Sequence, residues 1–169
     1  ICRQIQLTVP VVNFARLFPL SSQLERILYK LSNDGWTFEL RQADGIVEKW
    51  EEQPQNNGRT LLFSGGLDSF AAAVEYGATD SFLQLVSHRT HNTVTSGAQD
   101  NLLKILKDGG YELPHSSFLI SSRTDVTTGL IHDQENSQRT RSFLFLVLGA
   151  LAARRRGHPQ VIFLAENGQ

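Results

Sequence analysis

Methionine is absent from this 169-residue chain and cysteine occurs once, at Cys2. A single thiol excludes an intrachain disulfide and any zinc site built from several cysteines of these residues, and it fits a cytoplasmic setting. An excess of one charge is also missing, since 16 basic and 17 acidic side chains leave a net charge of −1. That balance gives no whole-surface attraction to nucleic acid and leaves a local basic patch as the remaining route to it. The longest apolar run, Phe143 to Ala153, falls short of the ~20 residues a spanning helix needs and is flanked by Arg141 and Arg154-Arg155-Arg156. It reads as a core helix, so no membrane partner is expected. No N-terminal signal pattern is visible. Neither G-x-x-x-x-G-K-[ST] nor G-x-G-x-x-G occurs, which removes two familiar glycine-rich nucleotide loops. The chain opens on Ile1 and stops at Gln169 just after a strand-like run, and it therefore reads as a piece of a longer protein.

What is present is enough for one sizeable core rather than two full domains, at 40% apolar and 20% charged residues. The stretch Arg59 to Tyr76, R-T-L-L-F-S-G-G-L-D-S-F-A-A-A-V-E-Y, organises the rest. An apolar run from Thr60 to Phe63 breaks at Ser64, turns through Gly65 and Gly66 and restarts as a helix-like pattern at Asp68. This predicts a strand, a tight loop and a helix N-terminus. Glycines open the backbone and remove side chains, and the first N–H groups of a helix attract anions. Ser64 and Ser69 add hydroxyls, and Asp68 can cap the helix or reach a metal ion. Ser, Gly and Asp also build ordinary turns. Against that, average residue usage yields S-G-G-x-D-S by chance in only about one in 10⁴ chains of this length.

Ahead of this loop, residues 1–58 read as a small β-α-β appendage with a linker. Apolar residues alternate from Ile5 to Val12, and Pro10 marks an edge strand. Leu24, Ile27, Leu28 and Leu31 share a helix face, with Ser21 or Ser22 as N-cap and Asn33-Asp34-Gly35 as the stop. Trp36, Phe38 and Leu40 alternate again. The appendage is either a structural addition or a substrate-binding or docking element, and Trp36, Phe38 and the Pro10 edge suit pairing in a homo-oligomer. Ile46–Trp50 reads as a short strand and Gln53–Gly58 as a linker. Residues 59–169 form the loop-bearing domain. Strands at Phe82–Val86, Ser117–Ile120 and Val161–Ala165 alternate with helices at Ala98–Lys107 and Ser137–Arg156. The pattern predicts an α/β fold with a parallel sheet covered by helices on both faces. Ligands in such sheets bind at the carboxyl ends of the strands. Those ends are Ser64–Ser69, Ser87–Asn92, Ser121–Asp125 and Ala165–Gly168.

Ser87-His88-Arg89-Thr90-His91-Asn92 is expected to shape a pocket, since its two histidines lack a third metal ligand at recognisable spacing. Arg139 and Arg141 oppose the dipole at their helix start, so they either face solvent or meet an anion. Glu166 and Asn167 close the last strand, either with Glu166 as a metal or substrate contact or as a simple turn. The Arg154-Arg155-Arg156-Gly157 run reads as a solvated helix end. His115, His132 and His158 are expected in solvent-exposed loops.

S-G-G-L-D-S at Ser64–Ser69 resembles the signature of the PP-loop ATP pyrophosphatase superfamily, and the chain is similar within it to the 7-cyano-7-deazaguanine synthases. It is especially similar to synthase-like proteins of bacterial anti-phage defence systems, which share the strand, helix and N-D-G-W-like turn before the loop. The resemblance implies ATP and Mg²⁺ as cofactors, and adenylation of a small-molecule carboxylate, a 7-deazapurine acid, with pyrophosphate leaving. It implies nucleotide contacts at Ser64, Gly65, Gly66, Leu67, Asp68, Ser69 and Ser87, and catalytic roles for Asp68, Ser69 and Arg141. Asp68 would hold Mg²⁺, and Arg89, Glu166 and Asn167 would lie toward the substrate. R-S-F-L-F-L at Arg141–Leu146 resembles the synthases' G-R-N-x-x-F-L, with Ser142 in place of the asparagine and no preceding glycine. Zn²⁺ is expected only if residues beyond Gln169 supply cysteines. Partners implied are ATP, the acid, and proteins of a defence complex. Two other readings stay open, a different PP-loop ligase or tRNA-modifying enzyme and a non-catalytic nucleotide-binding component.

Overall fold

In the computed structural model the described residues are 3–45, 53–89, 93–120, 139–159 and 162–163, the last two and 139–141 by backbone alone. By contact the chain divides into Ile1–Trp50 with Ser137–Ser142, and Glu51–Asn136 with Phe143–Gln169. No helix among the described residues is long and apolar enough to cross a membrane.

The alternation at the start of the chain builds β1 (Gln4–Val11), which pairs in parallel with β2 (Gly35–Gln42), from Gln4 opposite Gly35 to Val11 opposite Gln42. Between them run the short α1 (Phe14–Leu17), a 3-10 turn at Phe18–Leu20 and α2 (Ser21–Ser32). The expected N-cap at Ser21 or Ser22 is corrected. Pro19 starts a helical turn early, so both serines lie inside α2 and the Ser21 hydroxyl donates back to Phe18 O at 2.8 Å. The helix ends where expected, at Asn33, which adopts φ 61° and donates its N–H to Tyr29 O at 2.8 Å. Asp34 follows, 2% exposed, and its carboxylate accepts the Arg3 N–H at 3.0 Å and the Arg3 Nε–H at 3.1 Å. Trp36 Nε1 donates to Ser32 Oγ at 2.9 Å. One polar knot thus ties the start of β1 to the turn before β2.

A two-stranded sheet leaves an open edge on each side, and both are blunted here. Gly35 N donates to Arg3 O and Ala43 N to Val11 O, so odd-numbered residues face the partner strand and even-numbered ones face out. Pro10, which has no N–H, therefore stands on the outer edge of β1. On the outer edge of β2 the Phe38 N–H is taken by Glu25 Oε1 of α2 at 2.8 Å. A second chain pairing along either edge would meet a missing or an occupied donor.

The second unit is an α/β layer with a four-stranded parallel sheet in the order β5-β4-β3-β6. Its strands are β3 (Thr60–Leu62), β4 (Gln84–Arg89), β5 (His115–Leu119) and β6 (Ile162–Phe163). Its helices are α3 (Leu67–Gly77), α4 (Thr93–Asp108) and, from Phe143 onward, α5 (Arg139–Arg155). Side chains alternate across the sheet. Leu61, Phe63, Leu83 and Leu85 meet Ala72 and Ala73 of α3 and Leu106 of α4 on one face, while Leu62 and Val86 meet Leu148 and Ala152 of α5 on the other. Helices therefore cover both faces, as the alternating pattern predicts.

Element ends differ from the sequence reading in informative ways. β4 covers Gln84–Arg89 rather than Phe82–Val86, because Asp80 closes a turn on Phe82 and Leu83, and because Ser87, His88 and Arg89 register with Ser117, Phe118 and Leu119 of β5. Polar residues there look like a loop until a neighbouring strand supplies a ladder. α4 starts at Thr93, ahead of the expected Ala98, although Thr, Val and Gly are weak helix formers. That first turn is exposed, with Val94 at 78%, so burial does not account for it. The Gln53–Gly58 linker is held rather than loose. Asn56 N donates to Gly157 O at 2.9 Å and Asn56 Nδ2 to Arg156 O at 3.0 Å. Gly157, at φ 67°, closes α5 with His158 N bonded to Ala153 O and Gly157 N to Arg154 O, satisfying its last carbonyls. The expected strand at Ile46–Trp50 and the segment Ser121–Gln138 lie outside the described residues.

Candidate anion-binding loop

β3 has β4 on one side and β6 on the other, so the chain leaves its carboxyl end at the point where the winding of the sheet reverses. A crevice opens at such a point in parallel sheets. Ser64, Gly65 and Gly66 sit there. Phe63 N still bonds to Val86 O at 2.7 Å, Gly65 takes φ 88°, and Gly66, at φ −90° and ψ 167°, is the N-cap of α3. The helix therefore begins at Leu67, one residue before the expected Asp68, and Asp68 stands inside its first turn rather than capping it. No side chain caps α3. The first-turn N–H groups and the positive end of the helix dipole thus face outward without a side-chain acceptor from the cap.

The loop is braced by its own hydroxyls. Gly66 N donates to Ser64 Oγ at 3.3 Å, Ser64 Oγ donates to Ser69 Oγ at 3.3 Å, and Ser69 Oγ donates to Gly66 O at 2.9 Å. Ser69 is 1% exposed, so its hydroxyl shapes the loop from below, while Ser64, Gly66, Leu67 and Asp68 are exposed. Asp68 makes no ion pair among the described residues.

The end of β4 lies beside this loop, and several expected site residues are placed there. The Ser87 side chain is fully buried, and its hydroxyl donates to Phe63 O at 2.8 Å. It also meets His115 Nε2 at 2.9 Å, so with its one hydrogen spent on Phe63 it must accept there, which sets His115 as the Nε2–H tautomer. Ser87 ties three strands together rather than presenting a hydroxyl. Arg89 is paired with Asp100 of α4. His115 was expected in an exposed loop. It is half-buried on β5, where burial first and the Arg89 charge second lower its pKa, against a smaller opposing pull from Asp100. His158 is likewise corrected, at 6% exposed with its Nδ1 2.9 Å from Thr60 Oγ1, because the Gly157 turn folds it under the sheet. Arg154, Arg155 and Arg156 are exposed, as expected of a helix end. Arg139 and Arg141 open α5, and their side chains lie outside the described residues, as do His91, Asn92, Ser121–Asp125, His132, Glu166 and Asn167. Among the described residues no cluster of three or more His, Cys, Asp or Glu is placed to hold a metal ion.

One residue escaped the sequence reading. Gln99, 2% exposed in α4, donates from Nε2 to Ser64 O at 3.0 Å and to His88 O at 3.3 Å. The signal was present, because Gln99 occupies the first position of the stripe completed by Leu102, Leu103 and Leu106, which packs on the core. A lone amide on an apolar stripe needs buried partners. The chain matches no protein-family model, no curated protein and no solved structure.

Proposed function

We propose that the Ser64–Ser69 loop binds the phosphates of ATP and that the protein adenylates a small-molecule carboxylate in the manner of the PP-loop pyrophosphatases. The observation that carries this reading is the position of S-G-G-L-D-S between the carboxyl end of β3 and an uncapped helix, where β4 and β6 diverge. A carboxylate oxygen of the acid would attack the α-phosphorus. The bond from that phosphorus to the bridging oxygen would break, and pyrophosphate would leave with the electron pair. An amine such as ammonia would then displace AMP from the acyl carbon.

Charge builds on the departing phosphates, so the task of the loop is electrostatic. The N–H groups of the first turn of α3 are its donors, and the Ser64 hydroxyl would join them by turning its one hydrogen away from Ser69 Oγ. Gly65 and Gly66 keep side chains out of the approach, and Leu67 contributes only backbone. Asp68 is exposed and unpaired among the described residues. A single such carboxylate fits Mg²⁺, which is held mainly by phosphate oxygens and water and would offset phosphate charge when bound. Ser69 supports the loop from beneath. The parts of Arg141 at the α-phosphate and of Arg89, Glu166 and Asn167 toward the acid rest on the resemblance alone, as do the 7-deazapurine identity of the acid and a place in a defence complex.

Calorimetry of the full-length protein with Mg²⁺ and ATP tests the reading. Binding that Ser64→Ala and Asp68→Ala each weaken by at least about tenfold supports it. Absence of binding in the parent, or binding unchanged in both variants, overturns it. Pyrophosphate release from the same samples, with candidate acids added, separates an adenylating enzyme from a domain that only binds nucleotide.

A further inference from the structure

We infer that Gln99 is a positioning residue whose amide holds the Ser64–Gly65 peptide in the orientation that turns the Gly65 N–H toward an incoming anion. Both contacts of Nε2 are to carbonyl oxygens, Ser64 O and His88 O. The amide can therefore sit only one way, since rotation by half a turn would press Oε1 against both. In a trans peptide the C=O and the following N–H point in opposite directions. Fixing Ser64 O against Gln99 thus directs the Gly65 N–H away from α4, and this N–H makes no hydrogen bond among the described residues. The fit is close. A Cβ at Gly65 would lie 2.6 Å from Gln99 Cγ and 3.4 Å from its backbone, so the absent side chain at Gly65 is what lets α4 lie on the loop.

The bridge also joins the ends of two strands. Ser64 follows β3 and His88 belongs to β4, so one buried side chain sets the spacing of the strand ends that flank the loop. Gln99 Oε1 is buried with no partner. The polar capacity that Gln99 does satisfy is directed at those two carbonyls.

This role rests on the nucleotide reading for its consequence, though not for its geometry, and two measurements keep them apart. In the full-length protein without ligand, hydrogen exchange at the Phe63 and Phe70 amides, whose bonds to Val86 O and Gly66 O flank the loop, is expected to quicken in Gln99→Met while the amides of Leu61 and Leu85 keep their wild-type rates. In calorimetry with Mg²⁺ and ATP, Gln99→Met is expected to bind about tenfold more weakly, the worth of two lost hydrogen bonds. Gln99→Glu adds a readout that simple packing would not move. When ionised, its carboxylate faces two carbonyl oxygens and binding falls further than in Gln99→Met. When protonated, it donates one hydrogen bond and binding recovers. Its affinity relative to wild type at the same pH should rise between pH 8 and pH 5, whereas the ratio for Gln99→Met should stay flat. Affinity of Gln99→Met within twofold of wild type, or a flat ratio for Gln99→Glu, overturns the proposal. If the wild type binds no ATP, the nucleotide reading falls and the exchange data decide the latch alone. Quickening at Phe63 and Phe70 then supports it, and unchanged rates at both overturn it.

Discussion

Every buried apolar side chain among the described residues lies between Leu61 and Ala153, in the second unit, whereas the β1-α2-β2 unit buries only Asp34. α2 presents an apolar face yet buries no residue. The second unit is held by alternating side chains packed on both faces of a sheet, a force that is nondirectional and indifferent to pH near neutrality. The first is held by half-buried apolar contacts and by a directed set of hydrogen bonds through Arg3, Asp34, Ser32 and Trp36. A layer with a dry core can carry an open loop at its edge, because the core fixes the strands that the loop joins.

The comparison is broken most sharply by Phe63→Ala. Phe63 is wholly buried beside the loop, and its loss is expected to cost about 3–5 kcal/mol. Urea unfolding followed by exchange at β3 and β4 amides should show the second unit failing first, with the amides of β1 and β2 protected as before. A smaller effect comes from His158. Burial lowers its pKa, so its contribution to stability is complete above the unfolded value near 6.5 and is lost as the pH falls from there through the folded value. Melting temperatures between pH 7.5 and pH 5 should therefore decline, and less steeply in His158→Gln. His115, shifted the same way by burial, leaves its own share of the slope.

The first unit should answer to stronger acid. The Arg3 hydrogen bonds hold the Asp34 carboxyl below its ordinary range, outweighing the opposing effect of burial. Its contribution is therefore present above about pH 4 and is lost as the pH falls through the folded value. Exchange at β1 and β2 amides should quicken in that window in the wild type, and at all pH values in Asp34→Asn. If both units instead lose protection together at every pH, their different means of support do not translate into separate stabilities.

Periodicity was enough to place the β-α-β unit, its stop at Asn33, the parallel alternation after Arg59 and the loop at Ser64–Ser69. These features are local, since a strand, a helix or a turn is written in spacing and in residues that favour particular backbone angles. Ends of elements were harder to place. Ser87-His88-Arg89 is polar enough to read as a loop, and only the ladder to β5 makes it strand. The weak helix formers at the start of α4 give no helix signal, and that turn is exposed in the structure.

Histidines and Gln99 show the same division within and around the site. Nothing adjacent to His158 in the chain announces Thr60, which is 98 positions away, and nothing near Gln99 announces the carbonyls of Ser64 and His88. Sequence by itself determined the kinds of element, the glycine-rich loop and the residue types that can meet an anion, because these follow from local sterics and hydrophobic spacing. Tertiary structure alone decided that β4 and β6 flank β3, that Ser87 is a tie between strands, and that Gln99 lies against Gly65. Those are pairings between distant residues, and they are selected by which surfaces bury together when the sheet closes.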